Sequence, residues 1–141
     1  MEKRYGAGIE DLVRRRVKRV ALAAGSLNAF AFAWQNPEVK KIVVTKVVVD
    51  VTTAGGSATS VLDVARVADA TATGDTIIDG ADLNAVATYD NIGDPGTNGT
   101  QKAYKVDEKD GTNDYITGKI LVANASSLVG YAYIEYFIVE D

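Results

Sequence analysis

From Asn28 onward, run after run of this chain places apolar residues at every second position, with glycine-, aspartate- and asparagine-rich breaks between the runs. Successive side chains of a strand point to opposite faces, so this period commits most of the chain to β structure. Phe30, Phe32 and Trp34 fall on one face of the first run. The longest run covers residues 39–53, with Val43, Thr45, Val47, Val49 and Val51 on one side and Lys46 and Asp50 on the other. Residues 60–70, 102–106, 115–123 and 129–139 read as further strands. Residues 71–100 read as turn-rich surface loop holding two short strand pieces, Thr76-Ile77-Ile78 and Ala85-Val86-Ala87. Asp110-Gly111, between residues 102–106 and 115–123, carries a hairpin signal. Strands in this number with glycine-rich turns predict an all-β antiparallel sandwich.

The N-terminal segment follows a different period. Ile9, Leu12, Val13, Val17, Val20, Ala21 and Ala24 recur at helical spacing, with Arg14, Arg15, Lys18 and Arg19 on much of the other side. The spacing predicts an amphipathic helix over residues 9–24, stopped by Gly25. So short a helix is marginal alone and needs a surface to pack on. The division expected is a basic helical arm, residues 1–25, and a β-sandwich domain, residues 26–141; deleting residues 1–24 should then leave the body folded.

Charge follows the same division. Residues 1–33 carry Lys3, Arg4, Arg14, Arg15, Arg16, Lys18 and Arg19 against Glu2, Glu10 and Asp11, a net +4; the remainder is −8, for −4 overall. A basic arm on an acidic body suits docking to an acidic surface. The basic run followed by uncharged residues 20–34 has the outline of a signal peptide, but Gly25, Ser26 and Asn28 interrupt it. The run also falls short of the ~20 residues a spanning helix needs. Neither a signal peptide nor a membrane partner is expected.

The last strand is apolar on both faces, with Ala132, Ile134, Tyr136 and Ile138 on one and Tyr131, Tyr133 and Phe137 on the other. A sandwich strand with one wet face should alternate cleanly. Tyr131, Tyr133 and Phe137 are therefore candidate interface residues, where a ring is dry and a hydroxyl wet. The arm candidates are Ile9, Leu12, Val13, Arg14, Arg15, Arg16, Val17, Lys18, Arg19 and Val20.

Chemistry is constrained by what is missing. The 141 residues include no His and no Cys. That removes disulfides, thiolate and imidazole nucleophile–base pairs, and the usual zinc, haem and iron–sulfur ligands. Asp63, Asp69, Asp75, Asp79 and Asp82 are available acids but not a catalytic pair, and Asp79-Gly80 and Asp82 read as turn chemistry. The acidic stretch 107–114, and more weakly Asp90 to Asp94, offers oxygen ligands at short spacing, but a solvated turn is the plainer reading. Neither Gly55-Gly56 nor the stretch 96–99 has the lysine and helix start that a phosphate cradle requires. No catalytic residue, metal, cofactor or small-molecule substrate is expected; the protein reads as a non-enzyme.

Residues 24–38, Lys41 to Val44, Val47 to Thr53, Ile77 to Leu83 and Leu128 to Ile134 together resemble the small jelly-roll virion proteins of tailed bacteriophages and prophages. The likeness covers about residues 24–138 and contains no chemical motif. It implies a jelly-roll-like antiparallel β-sandwich, here with an N-terminal amphipathic α-helix. It also implies a homo-oligomeric structural protein, trimer favoured, in capsid decoration or head fibres on the virion surface, with a capsid or other virion protein as partner. Two other readings stand beside it: a carbohydrate- or cell-surface-binding β module, calcium-assisted through residues 71–114, and a non-specific nucleic-acid-associated protein using the basic helix. The last is the least favoured, because no aromatic interleaving or recognition module accompanies the charge.

Overall fold

A computed structural model describes residues 14–139, and every regular element in them is a strand. In chain order these are β1 (Arg16–Ala21), β2 (Phe30–Gln35), β3 (Ile42–Thr53), β4 (Val61–Val67), β5 (Ile78–Asp82), β6 (Ala87–Asp90), β7 (Tyr104–Val106), β8 (Tyr115–Leu121) and β9 (Val129–Ile138). They form two antiparallel sheets. One is ordered β1-β9-β3-β6, with β7 also paired to β3; the other is β2-β8-β4-β5. β6 covers Val48 to Val51 of β3, and β7 covers Ile42 to Val44, so the two short strands share one edge of the longest.

Alternation drives the packing. Val47, Val49 and Val51 of β3 lie opposite Ile134, Ala132 and Gly130 of β9, all on the inner face. Leu62 and Val64 of β4 lie opposite Ile120 and Gly118 of β8. These residues meet with Phe32, Ile116 and Tyr136 in a core that Ile77, Leu83 and Leu128 complete. Trp34 and Tyr136 touch across the two sheets, with ring centroids 5.6 Å apart. Gly118 marks a close approach. A Cβ there would run into the Phe32 ring and lie 3.3 Å from Leu62 Cδ1, so only glycine lets the ring lie flat on β8.

Four expectations are corrected. No helix exists over the described part of residues 9–24: Arg16–Ala21 is an edge strand paired antiparallel with β9, from Arg16 opposite Tyr136 to Ala21 opposite Tyr131. The expected helical stripe rested partly on small residues, Ala21 and Ala24, that bury little. Pairing with β9 instead satisfies the backbone on one side, packs Val20 on the core and leads into buried Leu22. Basic residues suit such an edge, because they discourage edge-to-edge association.

The other three corrections concern register. A bulge at Thr45 of β3 places Ile42 and Val44 inward and Val43 outward, so residues 42–51 do not keep one alternation. A bulge at Ala31 of β2 puts Phe30 opposite Lys119, whose ammonium lies 5.8 Å from its ring centroid, while Phe32 and Trp34 continue opposite Gly118 and Ile116. Asp110-Gly111 does not close a hairpin. β7 pairs with β3 and β8 with β2 and β4, so the turn carries the chain from one sheet to the other.

Candidate functional site

The outer face of the β1-β9-β3 sheet gathers six of the thirteen residues singled out as an interface: Arg15, Val17, Arg19, Tyr131, Tyr133 and Phe137. Tyr131, Tyr133, Glu135 and Phe137 form the outward row of β9, each half-buried. On one flank β1 sets Val17 opposite Glu135, Arg19 opposite Tyr133 and Ala21 opposite Tyr131. On the other, β3 sets Val43 opposite Phe137, Val48 opposite Tyr133 and Asp50 opposite Tyr131. The Arg19 guanidinium stands 4.7 Å from the centroid of the Tyr131 ring, and that ring lies 6.3 Å from Tyr133, tilted by 51°. Cation–π attraction of this kind holds the charge against the ring without neutralising it. Arg15 Nη1 donates to Glu135 Oε1 at 3.0 Å, and Thr45 Oγ1 donates to the same oxygen at 2.9 Å. Val17, at the margin, is 57% exposed. The result is an aromatic strip with fixed charges along its edge.

Other members of the predicted arm point elsewhere. Arg16, Lys18 and Val20 share the inner-face register of Tyr136, Ile134 and Ala132. Arg16 Nη1 donates to Glu38 Oε2 at 2.7 Å, and the Tyr136 hydroxyl donates to the same oxygen at 2.8 Å. Burial pushes the Glu38 carboxyl up, but those two bonds outweigh it and hold the group below its ordinary value. The Tyr136 phenol is pushed up to about 12, by burial first and by its bond to Glu38 second. This cluster ties the edge strand to the core. Arg14 is exposed just before β1, and Ile9, Leu12 and Val13 lie outside the described residues.

The acidic stretches 107–114 and 90–94 lie in turns. In residues 107–114 the carboxylates brace the turn. Asp107 Oδ2 accepts the Asn113 N–H at 2.9 Å, and Asp114 Oδ2 accepts the Asp110 N–H at 2.8 Å and Gln35 Nε2 at 2.7 Å. Asp90 Oδ1 likewise accepts the Ile92 and Gly93 N–H groups at 2.8 and 2.7 Å.

The carboxylates that do converge are Asp63, Asp75 and Asp79, with one oxygen from each within 4.8 Å of the others. Asp63 Oδ1 accepts the Gly80 N–H at 2.9 Å, and Asn98 donates to Asp79 and Asp75 at 3.0 and 2.9 Å. Burial raises the Asp63 carboxyl, and Asp79 and Asp75 add to the rise against the Gly80 bond. Three carboxylates supply only part of the six to eight oxygens that calcium takes. Sequence reading weighs these acids singly and assigns only Asp79 of the three to a turn. Their meeting depends on β4 pairing with β5, which spacing along the chain does not reveal.

Among the described residues no helix is long and apolar enough to cross a membrane. The chain matches no family model, no curated protein and no solved structure.

Proposed function

We propose that this protein is a non-enzymatic structural component of a virion of the tailed-phage type, a jelly-roll subunit on the capsid surface that assembles as a homo-oligomer, trimer favoured. The strand order supports the jelly roll. Leaving out short β7, first pairs with last throughout, β1 with β9, β2 with β8, β3 with β6 and β4 with β5, as in a long hairpin rolled into two sheets. The observation that carries the functional reading is the aromatic row Tyr131, Tyr133 and Phe137 flanked by the basic edge strand. A second copy is the occupant proposed for that row, because a closed assembly covers aromatic surface on each subunit at once. The cations around β1 are the proposed contact to an acidic virion surface, replacing the expected helical arm. With no His or Cys in the chain, the common nucleophile–base and metal chemistries have no ligands to use.

Light scattering on the purified protein, with co-sedimentation on phage capsids, tests this reading. The expected result is an oligomer of uniform mass that pellets with capsids, and a Tyr133→Glu variant of unchanged circular dichroism that runs as monomer. A wild-type monomer that stays in the supernatant overturns it.

A further inference from the structure

At the rim of the sandwich, away from the β1/β9 face, a cavity of about 260 Å³ is lined by Arg66, Thr76, Thr100, Lys102, Tyr104 and Lys105 among others. No carboxylate lines it. Residues 34–141 are strongly acidic and hold only eight cations, yet Arg66 and Lys102 both line this cavity; Lys105, opposite outward Val43, meets it through its carbonyl. None of the three is in an ion pair with a described residue, whereas Lys46 lies 3.9 Å from Asp90.

Arg66 is the informative residue. It follows Leu62 and Val64 on the inward register of β4, opposite Ile116, where alternation calls for an apolar side chain. Instead it is an exposed guanidinium that reaches across to the other sheet. There its Nη1 donates to the Lys105 carbonyl oxygen of β7 at 2.8 Å. That bond uses one of five N–H donors and fixes the fork at the cavity.

The floor is equally fixed. Tyr104 is 6% exposed, and its hydroxyl donates to the Thr76 carbonyl and shares a hydrogen bond with the Thr100 hydroxyl, tying the β4–β5 loop to the β6–β7 loop. The Lys102 ammonium lies 5.6 Å from the Tyr104 ring centroid. Asp75, next to Thr76 in sequence, accepts a hydrogen bond from Asn98 Nδ2 at 2.9 Å.

We propose that this cavity binds a single tetrahedral oxyanion, phosphate or sulfate, free or esterified to a molecule of sugar size. A guanidinium beside an ammonium, with no lining carboxylate, exceeds what a singly charged carboxylate offsets, and the guanidinium fork matches the oxygens of such a group. The volume lies just below the roughly 300 Å³ at which drug-sized pockets begin, so it suits one small polar head. An extended nucleic acid is disfavoured, because its neighbouring phosphates would meet the surrounding acidic surface.

Titration calorimetry with inorganic phosphate, inorganic sulfate, glucose 6-phosphate and glucose, in low-salt buffer, tests the proposal. Saturable binding is expected for the three anions and none for glucose. The sugar ester binding more tightly than phosphate identifies the esterified form; equal binding identifies the free ion. Arg66→Gln should weaken binding roughly tenfold, and Lys102→Gln by a similar factor, at unchanged thermal midpoint. Lys119→Gln, on the outward register of β8, should leave it unchanged. Absence of saturation at about 10 mM anion, well above a millimolar dissociation constant, overturns the proposal. So does binding that survives in both cavity variants, or duplex DNA binding that the cavity variants abolish.

Discussion

Glu38 accepts from two sides, from a phenol and from a guanidinium, and that double use makes it a lock between the edge strand and the core. The Tyr136 ring is fully buried, so its hydroxyl has no water to fall back on. Tyr136→Phe removes one bond and leaves a part-buried carboxylate less satisfied; the expected loss is about 1–2 kcal/mol, read from urea melts. Asp63 behaves in the opposite sense. Its folded-state pKa is raised, by burial first and then by Asp79 and Asp75, so its ionised form opposes folding at neutral pH. Asp63→Asn keeps an acceptor for the Gly80 N–H and removes the repulsion. The variant should melt a few degrees higher than wild type at neutral pH in the presence of chelator, and the gap should close as pH falls through the folded value. A variant that melts lower would show that the carboxylate group is satisfied by something other than protein.

The strands show where local pattern prevails and where it yields. β9 carries two apolar faces because it is central, with β1 on one side and β3 on the other, and its outer row is half-covered by their side chains. β1 was legible as apolar and basic but not as a strand: Arg and Ala favour helices, and only the open edge of β9 offers the pairing that outweighs this. The consequence for truncation is a reversal of the sequence-based expectation. A chain starting at Ala23 loses β1, uncovers an edge of β9 and removes Leu22, which is 6% exposed. Emptying a leucine site alone costs about 2–5 kcal/mol, so the shortened body should be strongly destabilised or unfolded, as thermal melts and amide exchange on β9 will report. A shortened body as stable as the full chain would return the segment to the status of a detachable arm.

Over the whole molecule, the carboxylates set the response to acid. Glu38 is held low by hydrogen bonds that outweigh its burial, Asp69 by the Thr71 hydroxyl and N–H, and Asp90 first by the Gly93 N–H. A depressed folded-state value means stability that is complete above the ordinary 3.8 and 4.5 of these groups and is lost as pH falls through the folded values. Asp63 alone among the shifted carboxylates opposes this trend. Urea midpoints should therefore be level near neutrality and drop on the acid side, with a shallower drop in Glu38→Gln. A midpoint that rises on acidification would contradict the assignment.

The amino-acid order by itself determined the β class, the placement of most strands after Asn28, the turn-rich character of residues 71–100 and the absence of imidazole and thiol chemistry. These follow from nearest-neighbour periodicity and from composition, both local properties. Tertiary structure alone decided that Arg16–Ala21 extends as a strand, that bulges at Ala31 and Thr45 switch faces, that Asp110-Gly111 bridges two sheets, and that Arg66 meets Lys102 and the Lys105 carbonyl at one cavity. Each of those depends on which distant strand supplies the partner hydrogen bonds, and pairing free energy between strands far apart in sequence leaves no trace in the spacing of either one.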